Sequence, residues 1–169
     1  MNVLDAILSR RSIRRYIDKP VSTEEITELV KFAMYAPSAV NKQPWHFIII
    51  TDRSILDEIM KFHPHAGMLS QAAAAVLICG DEELAHTPAY WPVDCSAATQ
   101  NFLLAAHGKG LGAVWLGIYP REERISAMKS LMNLPEHIHP FSLISIGYHA
   151  EAPRVPERCK PERIHLNKW

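Results

Sequence analysis

This sequence of 169 residues has few cysteines, no long apolar run and no net charge. Its three cysteines, Cys79, Cys95 and Cys159, are widely spaced, so neither a disulfide framework nor a cysteine-based zinc site is expected, and we expect a reducing, cytoplasmic location. No apolar run approaches the ~20 residues that cross a bilayer. Arginines follow rather than precede the first apolar stretch, which is unlike a signal peptide. The 18 basic and 18 acidic side chains cancel, which argues against nucleic acid or a membrane as a partner.

Hydrophobic periodicity predicts the secondary structure. A chain of this length, with 48% hydrophobic residues, is expected to form one domain, residues 1–169, with its own core. Apolar residues at helical spacing predict helices over about 2–10, 23–36, 53–62, 95–107 and 121–132. Near-continuous apolar runs predict strands over about 45–51, 74–79, 113–118 and 141–146. This order of elements predicts an α+β fold in which helices cover one layer of sheet.

Some boundaries and burial patterns can be predicted in more detail. Ser22 followed by Glu25 is the pattern of a capping box at the start of the second helix. Asp94 is a suitable N-cap for the fourth helix. The apolar runs at 45–51 and 74–79 predict strands buried on both faces.

Both ends of the chain carry apolar side chains. In the first predicted helix they recur at helical spacing: Val3, Leu4, Ile7 and Leu8. The tail from residue 148 is irregular, with prolines at 153, 156 and 161, yet it carries Ile164, Leu166 and Trp169. A long tail with an apolar tip is expected to lie on another surface, such as a second subunit.

Four arginines stand within the run Arg10-Arg11-Ser12-Ile13-Arg14-Arg15-Tyr16. A cluster of this kind either ends a helix, where it offsets the helix dipole, or binds an anion. The planar guanidinium group matches phosphate oxygens two at a time, and the hydroxyl of Ser12 can donate to the same oxygens. From these residues alone both interpretations stay open.

Two apparent ligand-binding motifs are not supported by the residues and predicted elements around them. The glycines at 108, 110 and 112 resemble a phosphate loop but follow a helix and precede a strand, which predicts a helix C-cap and turn instead. The histidine pairs His63/His65 and His137/His139 suggest a metal, but no cysteine or carboxylate completes a known ligand spacing. We therefore predict no metal site.

Three motifs and the tail together resemble the nitroreductase family of FMN-dependent enzymes. They are Arg-Arg-Ser-x-Arg-x-Tyr near the N-terminus, Ala-Pro-Ser-x-x-Asn-x-Gln-Pro-Trp about 20 residues later, Gly-Leu-Gly-x-x-Trp-Leu-Gly in the second half, and a tail ending Arg-Ile-His-x-Asn-Lys-Trp. The resemblance runs through nearly the whole chain. It implies a mostly antiparallel sheet of four to five strands, and a homodimer with FMN at the subunit interface and the tail extended over the partner.

The resemblance also implies which residues bind FMN. Arg10, Ser12 and Arg158 would hold the phosphate, and Arg14 would reach the pyrimidine edge of the flavin, where a cation favours reduction. Arg11 belongs to the same cluster, although it and Arg15 could be solvated charges or salt-bridge partners. The remaining implied contacts are Ser38, Asn41 and Gln43 from the other subunit, and Trp115, Leu116 and Gly117, whose backbone N–H would lie near flavin N5.

The implied function is an NAD(P)H-dependent FMN oxidoreductase. Hydride would pass in a ping-pong sequence from NADH or NADPH through FMN to a small electron acceptor such as a nitroaromatic or quinone. No catalytic side chain is required, because the cofactor carries the chemistry. The alternatives are a specialised flavin-fragmenting or dehalogenating relative, and a non-catalytic dimeric module that binds flavin. Segments that form helical insertions in larger members are short here, which implies an open pocket over the flavin.

Overall fold

The computed structural model describes residues 1–152 and 154–169; Pro153, one of the tail prolines, lies outside the described residues. The helices are α1 (Val3–Ser9), α2 (Thr23–Ala33), α3 (Arg53–Phe62), α4 (Trp91–Gly108) and α5 (Glu122–Met132). The strands are β1 (Trp45–Ile50), β2 (Ala74–Asp81), β3 (Gly112–Gly117) and β4 (Ile138–Gly147). Short 3₁₀ turns form at Ala39–Asn41, Gly67–Ser70 and Pro161–Arg163.

The four strands form one antiparallel sheet in the order β1-β2-β4-β3. The α+β fold is therefore confirmed. Alternate residues of β2 point to opposite faces: Ala74, Val76 and Ile78 join the cluster under α2 and α4, while Ala75, Leu77 and Cys79 join the cluster under α3 and α5. The sheet thus lies between two layers of helix.

Burial on both faces was predicted for two strands and is complete in one of them. Every residue of β2 is buried, because β2 lies in the middle of the sheet. In β1 the central side chains pack against the core on both faces, Phe47 and Ile49 on one and Ile48 on the other, but all three are only partly buried, so the prediction for this strand is confirmed in part. The two sequences are similarly apolar, but β1 is an edge strand and has a neighbour on one side alone.

Helix boundaries show where local signals suffice. The capping box of α2 is present, with Glu25 N–H donating to Ser22 Oγ (3.1 Å) and Ser22 N–H donating to Glu25 Oε2 (3.3 Å). The prediction of Asp94 as the N-cap of α4 is wrong, since the helix begins at Trp91. Proline is tolerated in a first helical turn, where backbone N–H groups have no partner within the helix, and Pro92 stands there.

The position of Trp91 also explains why β2 has a glycine at residue 80. A Cβ added at Gly80 would overlap the Trp91 indole ring, so the start of α4 packs directly on the strand backbone. The Trp91 ring further stacks on His139, with 5.3 Å between ring centroids and 14° between planes. The N-terminal end of α4 is thereby fixed against both β2 and β4.

The apolar side chains at both chain ends are exposed. In α1, Val3, Leu4, Ile7 and Leu8 are 54–71% exposed, and only Ala6 of this helix is buried. In the tail, Leu166 is 87% exposed and Trp169 fully exposed. These side chains contribute nothing to the core of the protomer. Among the described residues, no helix combines the length and apolar character required to cross a membrane.

Candidate active site

The arginine-rich segment runs along the free edge of β3. Ile13 N–H donates to Ala113 O (3.0 Å) and Ile17 N–H donates to Tyr148 O (2.9 Å). Ile13 and Tyr16 are buried, and the Tyr16 hydroxyl lies 2.7 Å from Ser145 Oγ. Because these two side chains point into the core, the residues between and before them remain exposed: Ser12, Arg14 and Arg15.

Glycines of the sheet permit this close approach. A Cβ at Gly112 would lie 2.6 Å from Ile13 Cγ2, and a Cβ at Gly147 would lie 2.9 Å from Tyr16 Cδ1. Both separations are shorter than real Cβ contacts. The third motif, which contains Gly112, therefore positions the first motif through packing.

Arg158 lies near enough to Arg10 for the two charges to interact, although nearly the whole chain separates these two residues. Burial lowers the pKa of the Arg10 guanidinium, and the charges of Arg158 and Arg11 lower it further. In the part of the chain that the structure describes, neither these three arginines nor Arg14 and Arg15 form a salt bridge with a carboxylate. The cluster therefore holds an excess of positive charge that an anion would balance.

The guanidinium of Arg11 is already engaged by backbone carbonyl groups. Its Nη2 donates to Leu8 O (2.7 Å), its Nε donates to Arg154 O (3.4 Å), and Nη1 donates to Arg10 O. These bonds satisfy the C-terminal end of α1, whose last carbonyls have no partner within the helix. They also connect the N-terminal segment to the tail.

Two histidines beside this cluster were missed by sequence reasoning. His107 Nε2 lies 2.7 Å from Ser9 Oγ, and the two residues line a cavity of about 170 Å³ with Arg11 and His149. Burial lowers the pKa of His107, and the charges of Arg10, His149 and Arg11 act in the same direction. The sequence offered no signal for this group beyond the position of His107 near the end of a helix.

The loop between α2 and β1 is ordered by its own polar side chains. Ser38 Oγ accepts from Gln43 N–H (2.9 Å), and Gln43 Nε2 donates to Asn41 Oδ1 (2.9 Å). Val40, Asn41 and Gln43 adopt positive φ angles of 52–54°. This region is uncommon for any residue with a side chain and especially for a β-branched one. Such strain concentrates at functional sites.

Within one protomer this loop is far from the arginine cluster. Ala39 N–H donates to Asp94 Oδ1 (2.9 Å) in the first turn of α4, whereas Ser9 contacts His107 at the other end of the same helix. From Asp94 to His107 the helix rises roughly 20 Å, at 1.5 Å per residue. The structure thus brings together Arg10, Arg11 and Arg158 but not Ser38, Asn41 and Gln43 with them.

The carbonyl of Gly117 is held by two side chains. Arg124 Nη1 donates to this oxygen across 2.7 Å and His63 Nε2 across 3.0 Å. Every second residue of a strand directs its backbone N–H and C=O groups to the same side. Ala113 O points away from β4 toward Ile13, and Gly117 stands four residues after Ala113. The N–H of Gly117 therefore also points away from β4.

Among the described residues, no contact requires a glycine at position 117. An added Cβ would meet no atom nearer than Tyr119 O at 4.0 Å. The absence of a side chain leaves the backbone N–H open to a ligand. Neighbouring Trp115 is 36% exposed, with its ring 5.5 Å from Phe141. Leu116 is buried, so it can offer a ligand only its backbone.

His63 and Arg124 were not assigned to the site from sequence. His63 is 2% exposed, and its Nδ1 accepts from His65 N–H (3.3 Å), which leaves Nε2 as the donor to Gly117. Burial has the largest effect on the pKa of His63 and lowers it. The hydrogen bond to Gly117 raises the pKa, and the positive charge of Arg124 lowers it further. The imidazole is therefore a neutral donor.

The fold and these motifs define a known family. Two overlapping segments, residues 7–91 and 65–148, match the Nitroreductase family. Over 169 residues the chain is 48% identical to a protein of Methanothermobacter thermautotrophicus named as a candidate NADH dehydrogenase/NAD(P)H nitroreductase, covering 100% of this chain and 88% of that protein. The chain belongs to the nitroreductase family, as its motifs predicted.

Solved structures agree with this assignment. A candidate NADH dehydrogenase/NAD(P)H nitroreductase from Parabacteroides distasonis has a TM-score of 0.95 at 41% identity, with 100% of both chains covered. A candidate nitroreductase from Desulfovibrio desulfuricans, crystallised in complex with FMN, has a TM-score of 0.87 at 31% identity and covers 100% of this chain and 98% of that one.

Proposed function

We propose that this protein is an FMN-dependent oxidoreductase that accepts hydride from NADH or NADPH and delivers it to a small electron acceptor. The reaction is ping-pong: NAD(P)H donates hydride and leaves as NAD(P)⁺, and a nitroaromatic or quinone then takes its place. The observation that carries the proposal is the convergence of Arg10, Arg11 and Arg158, which among the described residues have no carboxylate partner. The match to the Nitroreductase family supports it.

The phosphate of FMN is the anion that fits this cluster. A dianionic phosphate is held best by several charge-assisted donors, and Arg10, Arg158 and the exposed Ser12 hydroxyl supply them. Arg11 contributes charge, while its donors remain on backbone carbonyls. Arg14, exposed one residue beyond Ile13, would reach the pyrimidine edge of the flavin.

The ring end of the site is formed by backbone. FMN, when bound, supplies hydride transfer at its N5 atom. Gly117 would direct its N–H toward N5, and Arg124 and His63 hold the Gly117 carbonyl so that this glycine keeps one orientation. Exposed Trp115 would contact the ring system with the backbone of Leu116. No side chain acts as nucleophile or acid.

Two protomers would complete the site. Ser38, Asn41 and Gln43 are roughly 20 Å from the arginine cluster of their own chain, judged by the rise of α4, so we assign them to the flavin of the partner. The exposed apolar side chains of α1 and of the tail favour an interface, because a surface of this kind is costly to leave in water. The tail would extend over the partner subunit.

The decisive experiment is cofactor binding followed by turnover. We expect purified protein to bind one FMN per chain, to sediment as a dimer, and to oxidise NADH or NADPH with menadione as acceptor. Protein that binds no flavin would overturn the proposal. Protein that binds FMN but turns over negligibly would instead be a flavin-binding module.

A further inference from the structure

We propose that Asp81, Glu83 and His137 form a binding site for a first-row transition-metal dication, outside the flavin site. One ligand atom from each of the three residues lies within 4.8 Å of the other two. The proposal does not depend on the proposed function, since no residue of the predicted flavin site contributes to it.

The fold creates this group by pairing two distant strand ends. Asp81 is the last residue of β2 and lies opposite Ile138, which begins β4. Glu82 N–H also donates to His137 O (3.2 Å). The carboxylates beside His137 therefore come from a segment more than 50 residues earlier in the chain. The spacing of residues along the sequence does not reveal that they are close.

Asp81 is held in position before any ion arrives. The residue is 6% exposed, and its Oδ1 accepts from Glu83 N–H (2.9 Å) and Leu84 N–H (3.2 Å). His46 Nε2 lies 3.2 Å from Oδ2. Hydrogen bonds to the outer side of a ligating carboxylate fix its orientation and raise metal affinity, and His46 would have this role.

Glu83 is exposed and can move, and its Oε1 lies 4.0 Å from His137 Nδ1. A small rotation of the Glu83 side chain would bring its carboxylate within coordination distance of an ion bound to Asp81 and His137.

The donor set selects the class of ion. Two carboxylates balance the charge of a dication, while an imidazole nitrogen favours zinc, nickel or copper over magnesium and calcium, which prefer oxygen ligands. Exposed Glu83 leaves coordination positions open to water. Beside the site, His139 Nε2 lies 2.9 Å from Glu82 Oε2, so a second imidazole and carboxylate stand at its border.

The competing explanation is a set of ion pairs that joins the strand ends without any metal. Isothermal titration of the untagged protein with Zn²⁺, in the state in which it is purified, distinguishes the two. We expect one saturable Zn²⁺ site per chain in the micromolar range, and no comparable heat with Mg²⁺. His137→Ala should abolish saturable binding, and His46→Ala should weaken it about 10-fold or more.

A matched control is His86→Ala, which removes an exposed imidazole from the same connecting segment but outside the cluster. It should bind Zn²⁺ as the parent does. If His137→Ala binds Zn²⁺ as tightly as His86→Ala, or if Mg²⁺ binds as tightly as Zn²⁺, the proposal is wrong. Glu83→Gln, at an exposed position, tests the carboxylate side of the site without disturbing the fold, and it should also lose Zn²⁺ binding.

Discussion

Arg124 donates a hydrogen bond from Nη1 to the carbonyl oxygen of Gly117 across 2.7 Å, at the end of β3. The neutral imidazole of His63 donates to the same oxygen. Glycine is the residue with the freest backbone, so a glycine that must present one N–H to a ligand gains from two donors that fix its carbonyl. The pair is a positioning device supplied by α5 and by the residue after α3.

Replacing Arg124 should therefore impair turnover more than cofactor binding. A hydrogen bond to a charged group contributes about 1.5–3 kcal/mol, so we expect Arg124→Met to lower kcat with menadione by roughly 10-fold or more while FMN affinity changes little. Steady-state kinetics and flavin titration measure the two effects. Arg121→Met, one turn earlier and exposed, should leave both unchanged. Equal effects of the two variants would contradict the positioning role.

The arginine cluster should act through specific residues and not through diffuse charge. Arg10→Ala removes a partly buried guanidinium beside Arg158 and should weaken FMN binding by roughly 10- to 100-fold, the equivalent of one charge-assisted contact. Arg15→Ala removes an exposed side chain and should change the Kd only slightly. Fluorescence titration with FMN checks both. Equal losses would mean that only total charge matters.

Gly80 should be intolerant of even one methyl group. Because a Cβ there would overlap the Trp91 ring, Gly80→Ala should lower the free energy of unfolding by about 1–3 kcal/mol, as overpacking does. Urea denaturation measures the change. The control is Gly67→Ala, where an added Cβ meets nothing within 4 Å and stability should be nearly unchanged. An unaffected Gly80 variant would show that the start of α4 can move away from β2.

Acid should destabilise the protein partly through His63. Its pKa is lowered in the folded state, so as the pH falls through the ordinary value of about 6.5 the unfolded chain takes up a proton that the folded chain refuses. Stability therefore declines from about pH 7 downward, with a slope of at most ~1.4 kcal/mol per pH unit for this group. The decline ends below the lowered pKa, where both states are protonated.

Substituting His63 with glutamine isolates this effect, because an amide Nε2 can still donate to Gly117. His63→Gln should show a shallower loss of stability between pH 7 and pH 5 in urea denaturation. His107, whose pKa is lowered too, should retain its own share of the slope. An unchanged profile in the His63 variant would assign the acid sensitivity to other groups.

The sequence predicted those features of the fold that depend on residues close together in the chain. The capping box from Ser22 to Glu25 and the five helices follow from periodicity and short-range hydrogen bonds. Strand order does not, which is why the similar apolar runs of β1 and β2 differ in burial. The helix start at Trp91 depends on packing against Gly80, a contact between elements.

The candidate site divides in the same way. The motifs propose Arg10, Ser12 and Gly117 as site residues, because their spacing resembles that of the family. His63 and Arg124 could not be found, since they reach Gly117 only when α3 and α5 pack on one face of the sheet. His137 stood out in the sequence as half of a histidine pair, but its proximity to Asp81 could not be predicted, because the pairing of β2 with β4 is what joins them.

The bonds from Arg11 to Leu8 and Arg154 have one more consequence. They join the end of α1 to the tail at Arg154, and an anion bound to Arg10 and Arg158 would add a second connection between the N-terminal segment and the tail. Loss of that anion would weaken the connection and loosen both ends together. We expect limited proteolysis to trim the flavin-free protein at its two termini in parallel, and the loaded protein at neither.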